Sequence, residues 1–318
     1  MKQPILFILF NRLGTAQKVF AEIKKYQPAV LYISADGYRP DENGEEEVCK
    51  SVREWVLTNI DWKCEVKTLF HEKNLGCGRA PSAAISWFFE NEEQGIILED
   101  DCVPSQNFFL FCEQMLDYYK GNSRISIISG CNFDTSKTYS TSDSYFYSVF
   151  PYTWGWATWR RNWEGYDYSI SEWKNRNQKK MLSYLFKEKK YVLAWKKIFD
   201  KLSRDVPDDI WDYQFFFRCF KRKQLSVVPS VNLVTNIGTG NQATHTVNEN
   251  NPKMNIKTES MIFPLIHPKE LKRNFKYDVF LQELNYGVIE QTPVFKKIKR
   301  FVKEQIKMLF FSSDSRTI

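Results

Sequence analysis

Gly95-Ile-Ile-Leu-Glu-Asp-Asp-Cys-Val-Pro-Ser105 passes from a short uninterrupted apolar run straight into three adjacent acids. An apolar run of this length, bounded by polar residues, reads as a buried strand. Working outward, the first 131 residues alternate such runs with longer ones of helical spacing, the pattern of a parallel sheet covered by helices. Strands are expected at Ile5 to Phe10, Val30 to Ala35, Glu65 to Phe70, Gly95 to Leu98 and Ile125 to Ser129. Thr15 to Tyr26, Glu46 to Asn59, Ala80 to Glu90 and Gln106 to Tyr119 have the lengths of crossover helices, with Thr15 and Ser105 as caps. The expectation is an α/β fold, a doubly wound and mostly parallel sheet flanked by helices.

Beyond Phe150 the alternation gives way to an aromatic, charge-rich half without a linker or repeat, so the two halves are expected to share one body. The expected organisation is 1–131 as the ligand-binding α/β half, 132–290 as its continuation and 291–318 as a basic tail. Asp208 to Arg222 reads as a helix, Leu225 to Val231 as a strand and Asn236 to Gly240 as a glycine-bearing turn, while Lys269 to Tyr286 is ambiguous. With 318 residues, 43% apolar, the chain can bury a substantial core. Its ten Trp and sixteen Tyr suit either flat ligands or an aromatic core. Seven cysteines without a CxxC pair suggest neither a disulfide framework nor a zinc site, and reduced thiols in a cytoplasmic setting are the simpler expectation. Met1 to Phe10 is too short in its apolar run for a signal peptide, and no stretch reaches the length of a membrane span.

In an open parallel sheet, ligands bind beyond the carboxyl ends of the strands. The residues after the expected strands are polar here: Asn11-Arg12, Asp36-Gly37, His71 to Arg79, and Glu99-Asp100-Asp101. Three adjacent acids repel one another unless a cation or hydrogen bonds offset the charge. A hard divalent ion, Mn²⁺ or Mg²⁺, is the natural partner, since it takes carboxylate and phosphate oxygens. The competing reading is an acidic helix N-terminus that complements the helix dipole.

Ile97-Leu-Glu-Asp-Asp-Cys-Val-Pro-Ser105 with Phe108-Phe109 resembles the metal-binding segment of N-acetylglucosaminyltransferase I and its bacterial GT-A relatives. Phe10-Asn-Arg12, Ser34-Ala-Asp-Gly37 and the His71 to Arg79 loop agree in order and spacing, so the likeness spans about the first 110 residues. The resemblance implies a GT-A (Rossmann-like) fold in which Asp101 holds the metal, Asp100 the ribose, Asp36 the base and Arg12 the diphosphate. It places Arg79 in the same nucleotide-sugar-binding set.

Pro151-Tyr-Thr-Trp-Gly-Trp-Ala-Thr-Trp159, Ile210-Trp-Asp-Tyr-Gln214 and Asn232 to Thr246 resemble the acceptor-side segments of the same relatives. Trp154 and Trp156 are candidates for a platform under a sugar ring; in extended chain they share one face, with Gly155 opposite. A Trp-rich stretch is equally a core signature. Inverting transfer needs a base for the acceptor hydroxyl, and Asp212 is the candidate, flanked by Trp211 and Tyr213 that would desolvate it. The animal enzyme has a second acid where Tyr213 stands, and plain helix capping is the alternative. His245 is placed at a diphosphate oxygen or in the metal shell, while His71 and His267 read as structural.

From Val294 to Phe311, six basic residues oppose Glu304 alone, with apolar residues at spacings of three and four. This reads as a basic amphipathic helix whose partner is an anionic membrane surface, with a helix packed on the domain as the alternative. The net charge of +7 is otherwise dispersed, which argues against nucleic acid as a partner. The expected function is transfer of a sugar, with inversion, from a nucleoside diphosphate donor, UDP-linked, to a saccharide or glycolipid acceptor. Cell-surface glycan assembly, of lipopolysaccharide or capsule type, is the setting, peripheral to the inner face of the membrane. Two rivals remain: a sugar-phosphate nucleotidyltransferase, whose Gly-rich phosphate loop Phe10-Asn-Arg-Leu-Gly14 lacks, and a non-catalytic glycan-binding protein of the same fold.

Overall fold

A strand apolar on both faces must be covered on both, and β1 (Ile5–Leu9) is buried throughout. One cover is α1 (Leu13–Tyr26), which buries Ala16, Val19, Phe20 and Ile23 at helical spacing. The computed structural model describes residues 2–139, 141–205, 209–238 and 251–286. The order continues with β2 (Val30–Ala35), α2 (Glu45–Thr58), β3 (Glu65–Phe70), α3 (Gly76–Asn91), β4 (Gln94–Glu99), β5 (Cys102–Pro104), α4 (Gln106–Tyr118) and β6 (Ile125–Ser129). After these come β7 (Tyr145–Ser148), β8 (Trp156–Trp159), α5 (Arg160–Trp163), a 3-10 turn (Ser171–Lys174), α6 (Arg176–Leu185), α7 (Lys189–Leu202), α8 (Asp212–Lys221), β9 (Leu225–Pro229), β10 (Val234–Asn236) and α9 (Phe275–Tyr286).

Eight strands form one sheet in the order β3-β2-β1-β4-β8-β6-β9-β7, with β10 and β5 as a separate pair. β3, β2, β1 and β4 run parallel, as do β6 and β9. β8 is antiparallel to both neighbours, β4 and β6, and β7 is antiparallel to β9. This is the mostly parallel α/β sheet expected of a GT-A fold. Register aligns the carboxyl ends of four strands: Leu9 lies beside Ala35, Ala35 beside Phe70, and Ile8 beside Glu99. The polar residues that follow each strand therefore reach one edge together. β8, running the other way, presents the residues before Trp156 at that edge, since Trp156 pairs with both Ile97 and Ser129.

Met1–Asn274 forms one compact unit and Phe275–Ile318 a second. Strands from beyond residue 131 lie inside the main sheet, so the first and second parts of unit 1 have no separate cores. Of the second unit, α9 is described; it gives Lys269 to Tyr286 a helix from Phe275 onward. The basic stretch from Val294 lies outside the described residues. Among the described residues no helix is long and apolar enough to cross a membrane, and all seven cysteines are free thiols.

Several local expectations are corrected. Thr15 does not cap α1: the helix begins at Leu13, and the Thr15 hydroxyl donates back to the Arg12 carbonyl at 3.1 Å. Ser105 stands at the cap of α4, yet among the described residues its buried hydroxyl has no hydrogen-bond partner. α3 starts at Gly76 rather than Ala80 because a carboxylate from another strand end, Asp36, receives the first helical N–H groups. α8 starts at Asp212, four residues after the expected start. The segment Trp154–Trp156 is not extended throughout: Gly155 has φ of +63°, so the two indoles part company. Trp156 is fully buried, packed on Trp211 and Phe215. It is a core side chain and offers no platform; Trp154 remains half-buried.

Urea denaturation checks this division. Trp156→Ala is expected to cost about 3–5 kcal/mol, and Trp154→Ala roughly 1 kcal/mol or less; comparable losses at the two positions would contradict it.

Candidate active site

The site is built where β1 and β4 end side by side. Arg12, directly before α1, sends its guanidinium across to the acids after β4. Its Nη2 and Nε both donate to Asp100, the latter at 3.3 Å to Oδ2, and Nη1 donates to Asp101 Oδ2 at 2.9 Å. Asp101 is held from other sides too. The Cys102 thiol donates to its Oδ1 at 3.4 Å, and the Ile237 N–H donates to its carbonyl at 2.9 Å. The β10–β5 pair thus brings Gly238 against Asp101, where a Cβ would lie 2.1 Å from Oδ2. Only glycine leaves that carboxylate its present room.

Burial raises the stakes of each charge. For Arg12 burial favours deprotonation, but Asp100 and Asp101 outweigh it and hold the guanidinium charged. Burial pushes Asp100 up to about 6 against the pull of Arg12. Glu99 is pushed up to about 8, first by burial and then by repulsion from Asp101 and Asp100, with a smaller contribution from Asp212. That last effect places Asp212, from the second half of the chain, within electrostatic reach of the cluster.

Asp212 is the first residue of α8, half-buried, and its Oδ1 accepts the Tyr213 N–H at 2.9 Å. Trp211 beside it is buried on Trp156. Lys253, which sequence reasoning passed over, approaches the same place. Its Nζ sits 5.6 Å from the Trp154 ring centroid and 5.9 Å from that of Tyr152. Burial lowers its pKa while Asp212 acts in the opposite direction. It is positioned because Asn255 N donates to Asn236 O and Thr235 Oγ1 to Ile256 O, tying its segment to β10. A lone lysine in a polar loop carries no periodicity or motif that would single it out.

Asp36 stands at the next strand end but is committed to the chain. Its two oxygens accept from Gly37 N (2.8 Å), Leu75 N (2.8 Å), Gly76 N (3.0 Å) and Asn74 Nδ2 (3.0 Å). Those four bonds use the acceptor positions of a carboxylate, so the role of base contact is not carried over to it. Arg79, in the first turn of α3, is exposed with its guanidinium over the Tyr168 ring at 5.0 Å. Cys77, close by, donates to Asp209 O at 3.3 Å, and burial pushes its thiol up to about 11, which disfavours the thiolate at neutral pH. His71 is half-buried, with burial lowering its pKa against the pull of Asp36, and His267 hydrogen-bonds Tyr145 and stacks on Tyr118. His245 lies outside the described residues.

The donor set bears on the metal that the sequence implies. Among the described residues no group of three or more His, Cys, Asp or Glu side chains is arranged to hold an ion unaided. Asp101 and its neighbours supply hard oxygen donors, and the lack of a Cβ at Gly238 is what lets the Asp101 carboxylate lie where it does. This fits the part-shell that Mg²⁺ or Mn²⁺ takes from protein when phosphate oxygens complete it.

No protein-family model and no curated protein sequence matches the chain. Solved structures with a partial likeness to it include the following three. The inositol-1-phosphate CTP transferase from T. maritima covers 78% of this chain and 92% of its own, at 11% identity and a TM-score of 0.40. The mannosyltransferase PcManGT from Pyrobaculum calidifontis, solved in complex with GDP-Man and Mn²⁺, covers 51% of this chain at 12% identity and a TM-score of 0.37. The match takes in 46% of the mannosyltransferase, less than half its length. Mouse xyloside xylosyltransferase 1, in its apo form, covers 69% of this chain and 81% of its own at 11% identity and a TM-score of 0.33. At these identities and TM-scores none of the three assigns an activity to the present chain.

The raised Glu99 carboxyl has a consequence for metal-free protein. Its folded pKa of about 8 exceeds the ordinary 4.5, so the neutral acid is tolerated and the ionised one is not. The stability it contributes is full below pH 4.5 and is lost as pH rises through 8. In chelator, Glu99→Gln should gain on the wild type as pH climbs through that window, by on the order of 2 kcal/mol at its top given partial exposure. Thermal melts from pH 5 to 9 check this; parallel curves would contradict it.

Proposed function

We propose that the chain is a metal-dependent glycosyltransferase of GT-A type. It moves a sugar from a nucleoside diphosphate donor, UDP-linked, to a saccharide or glycolipid acceptor, with inversion. The observation that carries this reading is the convergence of Arg12, Glu99, Asp100 and Asp101 at one sheet edge, with Asp212 and Lys253 approaching from the second half. The Glu-Asp-Asp run after a buried strand, resembling that of N-acetylglucosaminyltransferase I, adds support. Asp101, with Glu99 beside it, would hold the ion, which when bound supplies Lewis-acid stabilisation of a departing diphosphate.

The chain's own groups do the rest. Arg12 offers a planar, permanently charged donor fork suited to phosphate oxygens. Asp212 takes the proton of the acceptor hydroxyl as its oxygen attacks the anomeric carbon. The half-exposed indole of Trp154 gives the acceptor sugar an apolar face, and Lys253 fixes that ring by sitting over it. Arg79 stands at the rim of the donor side. Cell-surface glycan assembly is the proposed setting, with the basic tail on an anionic membrane.

Calorimetry tests the donor side. Wild type should bind UDP at least about tenfold more tightly with Mn²⁺ than with chelator, and Asp101→Asn should lose that difference while keeping its circular dichroism. UDP binding indifferent to Mn²⁺ in the wild type would sink the reading. On the acceptor side, Asp212→Asn is expected to lower kcat by about 10²–10⁴-fold with UDP affinity unchanged. A chain that instead released pyrophosphate from a nucleoside triphosphate and a sugar phosphate would be a nucleotidyltransferase.

A further inference from the structure

The guanidinium of Arg12 stands where positive charge is most needed. It spans two adjacent carboxylates, taking both oxygens of Asp100 and one of Asp101, and all three side chains are largely buried, at 16%, 3% and 13% exposure for Arg12, Asp100 and Asp101. The Asp101 oxygen it takes, Oδ2, is packed against Gly238, where a Cβ would lie 2.1 Å away. The other oxygen already accepts from the Cys102 thiol. A divalent ion drawn to Asp101 therefore meets a carboxylate with both oxygens engaged, one of them by a cation of the chain itself.

Two cations on one buried carboxylate repel each other, and a further anion between them relieves that repulsion. A nucleoside diphosphate supplies such an anion, and its oxygens match the fork of Arg12 as well as a carboxylate does. We propose that Arg12 is a built-in counter-ion for Asp100 and Asp101, which leaves Asp101 when a diphosphate arrives, so that metal and diphosphate bind as one cooperative unit. The inference rests on the transferase reading and deepens it. Without nucleotide, Arg12 holds the acids in place and keeps the ion out. With nucleotide, the guanidinium exchanges carboxylate oxygen for phosphate oxygen, and the freed carboxylate takes the ion. By linkage, each ligand tightens the other by the same factor.

Mn²⁺ binding followed by electron paramagnetic resonance tests this without any turnover. Wild type, Arg12→Met and Arg12→Lys are each titrated with Mn²⁺, with and without UDP. Without UDP, Arg12→Met should bind Mn²⁺ about tenfold or more tightly than wild type, because the competing cation is gone. UDP should tighten Mn²⁺ binding by about tenfold or more in the wild type and far less in Arg12→Met. Arg12→Lys, a point charge without the fork, should fall between them, and it carries the test if Arg12→Met does not fold. Mn²⁺ alone should also raise the melting temperature of the variants more than that of the wild type, since it replaces the lost counter-ion.

The inference is overturned if neither variant binds Mn²⁺ more tightly than wild type in the absence of UDP while wild type binds Mn²⁺ with UDP present. Wild type that binds no Mn²⁺ even with UDP overturns the transferase reading, and this inference with it.

Discussion

Burying an arginine beside three carboxylates is tolerable only if the charges meet, and they meet because β1 and β4 run parallel in one register. Ile8 lies opposite Glu99, which sets Arg12 and Asp100–Asp101 a few residues beyond their strands at the same depth. A slip of one residue would turn the following side chains to the other face of the sheet and leave ions buried without partners. β1 pairs along its length with β2 on one side and β4 on the other, and these two ladders hold its end at the depth of theirs. The core thus determines the geometry of the site, and the site in turn limits which register the core can accept.

A second constraint comes from the far half of the chain. β8 runs antiparallel between β4 and β6, so Trp156 is drawn into the core while Trp154, beyond the turn at Gly155, is left at the edge. Trp211 packs on Trp156 and thereby anchors the start of α8, which begins at Asp212. The aromatic content of this half is mainly core, as the ring contacts around Trp156, Trp163 and Phe215 illustrate. That core holds one carboxylate, Asp212, near enough to the cluster of the other half to repel Glu99. Lys253 arrives independently, on a segment fastened to β10.

The fold of the first 131 residues was legible because each strand there is short, apolar and followed by a helix with its own periodicity. Even so, the start of α3 was misplaced, since its cap is Asp36, forty residues earlier in the chain than Gly76 and adjacent only in space. The same long-range bonds occupy the carboxylate of Asp36, to which the resemblance gave the base of the nucleotide. Glu99, Asp100 and Asp101 were visible as a cluster, but their pairing with Arg12 was not, because sequence distance hides that two strand ends are neighbours. Platform or core could not be decided for Trp156 while the direction of β8 was unknown. Thr15 shows the smaller limit: a hydroxyl near a helix start can cap forward or bond backward, and local residue type does not choose.

The central claim is that the acids after β4 receive a divalent ion together with a nucleoside diphosphate. Anomalous diffraction from crystals soaked with Mn²⁺ and UDP addresses it most directly. The account predicts a manganese peak at Asp101 with the Arg12 guanidinium turned onto phosphate oxygens. Bound UDP with no manganese at that corner, and Arg12 still paired with both Asp100 and Asp101, would contradict it.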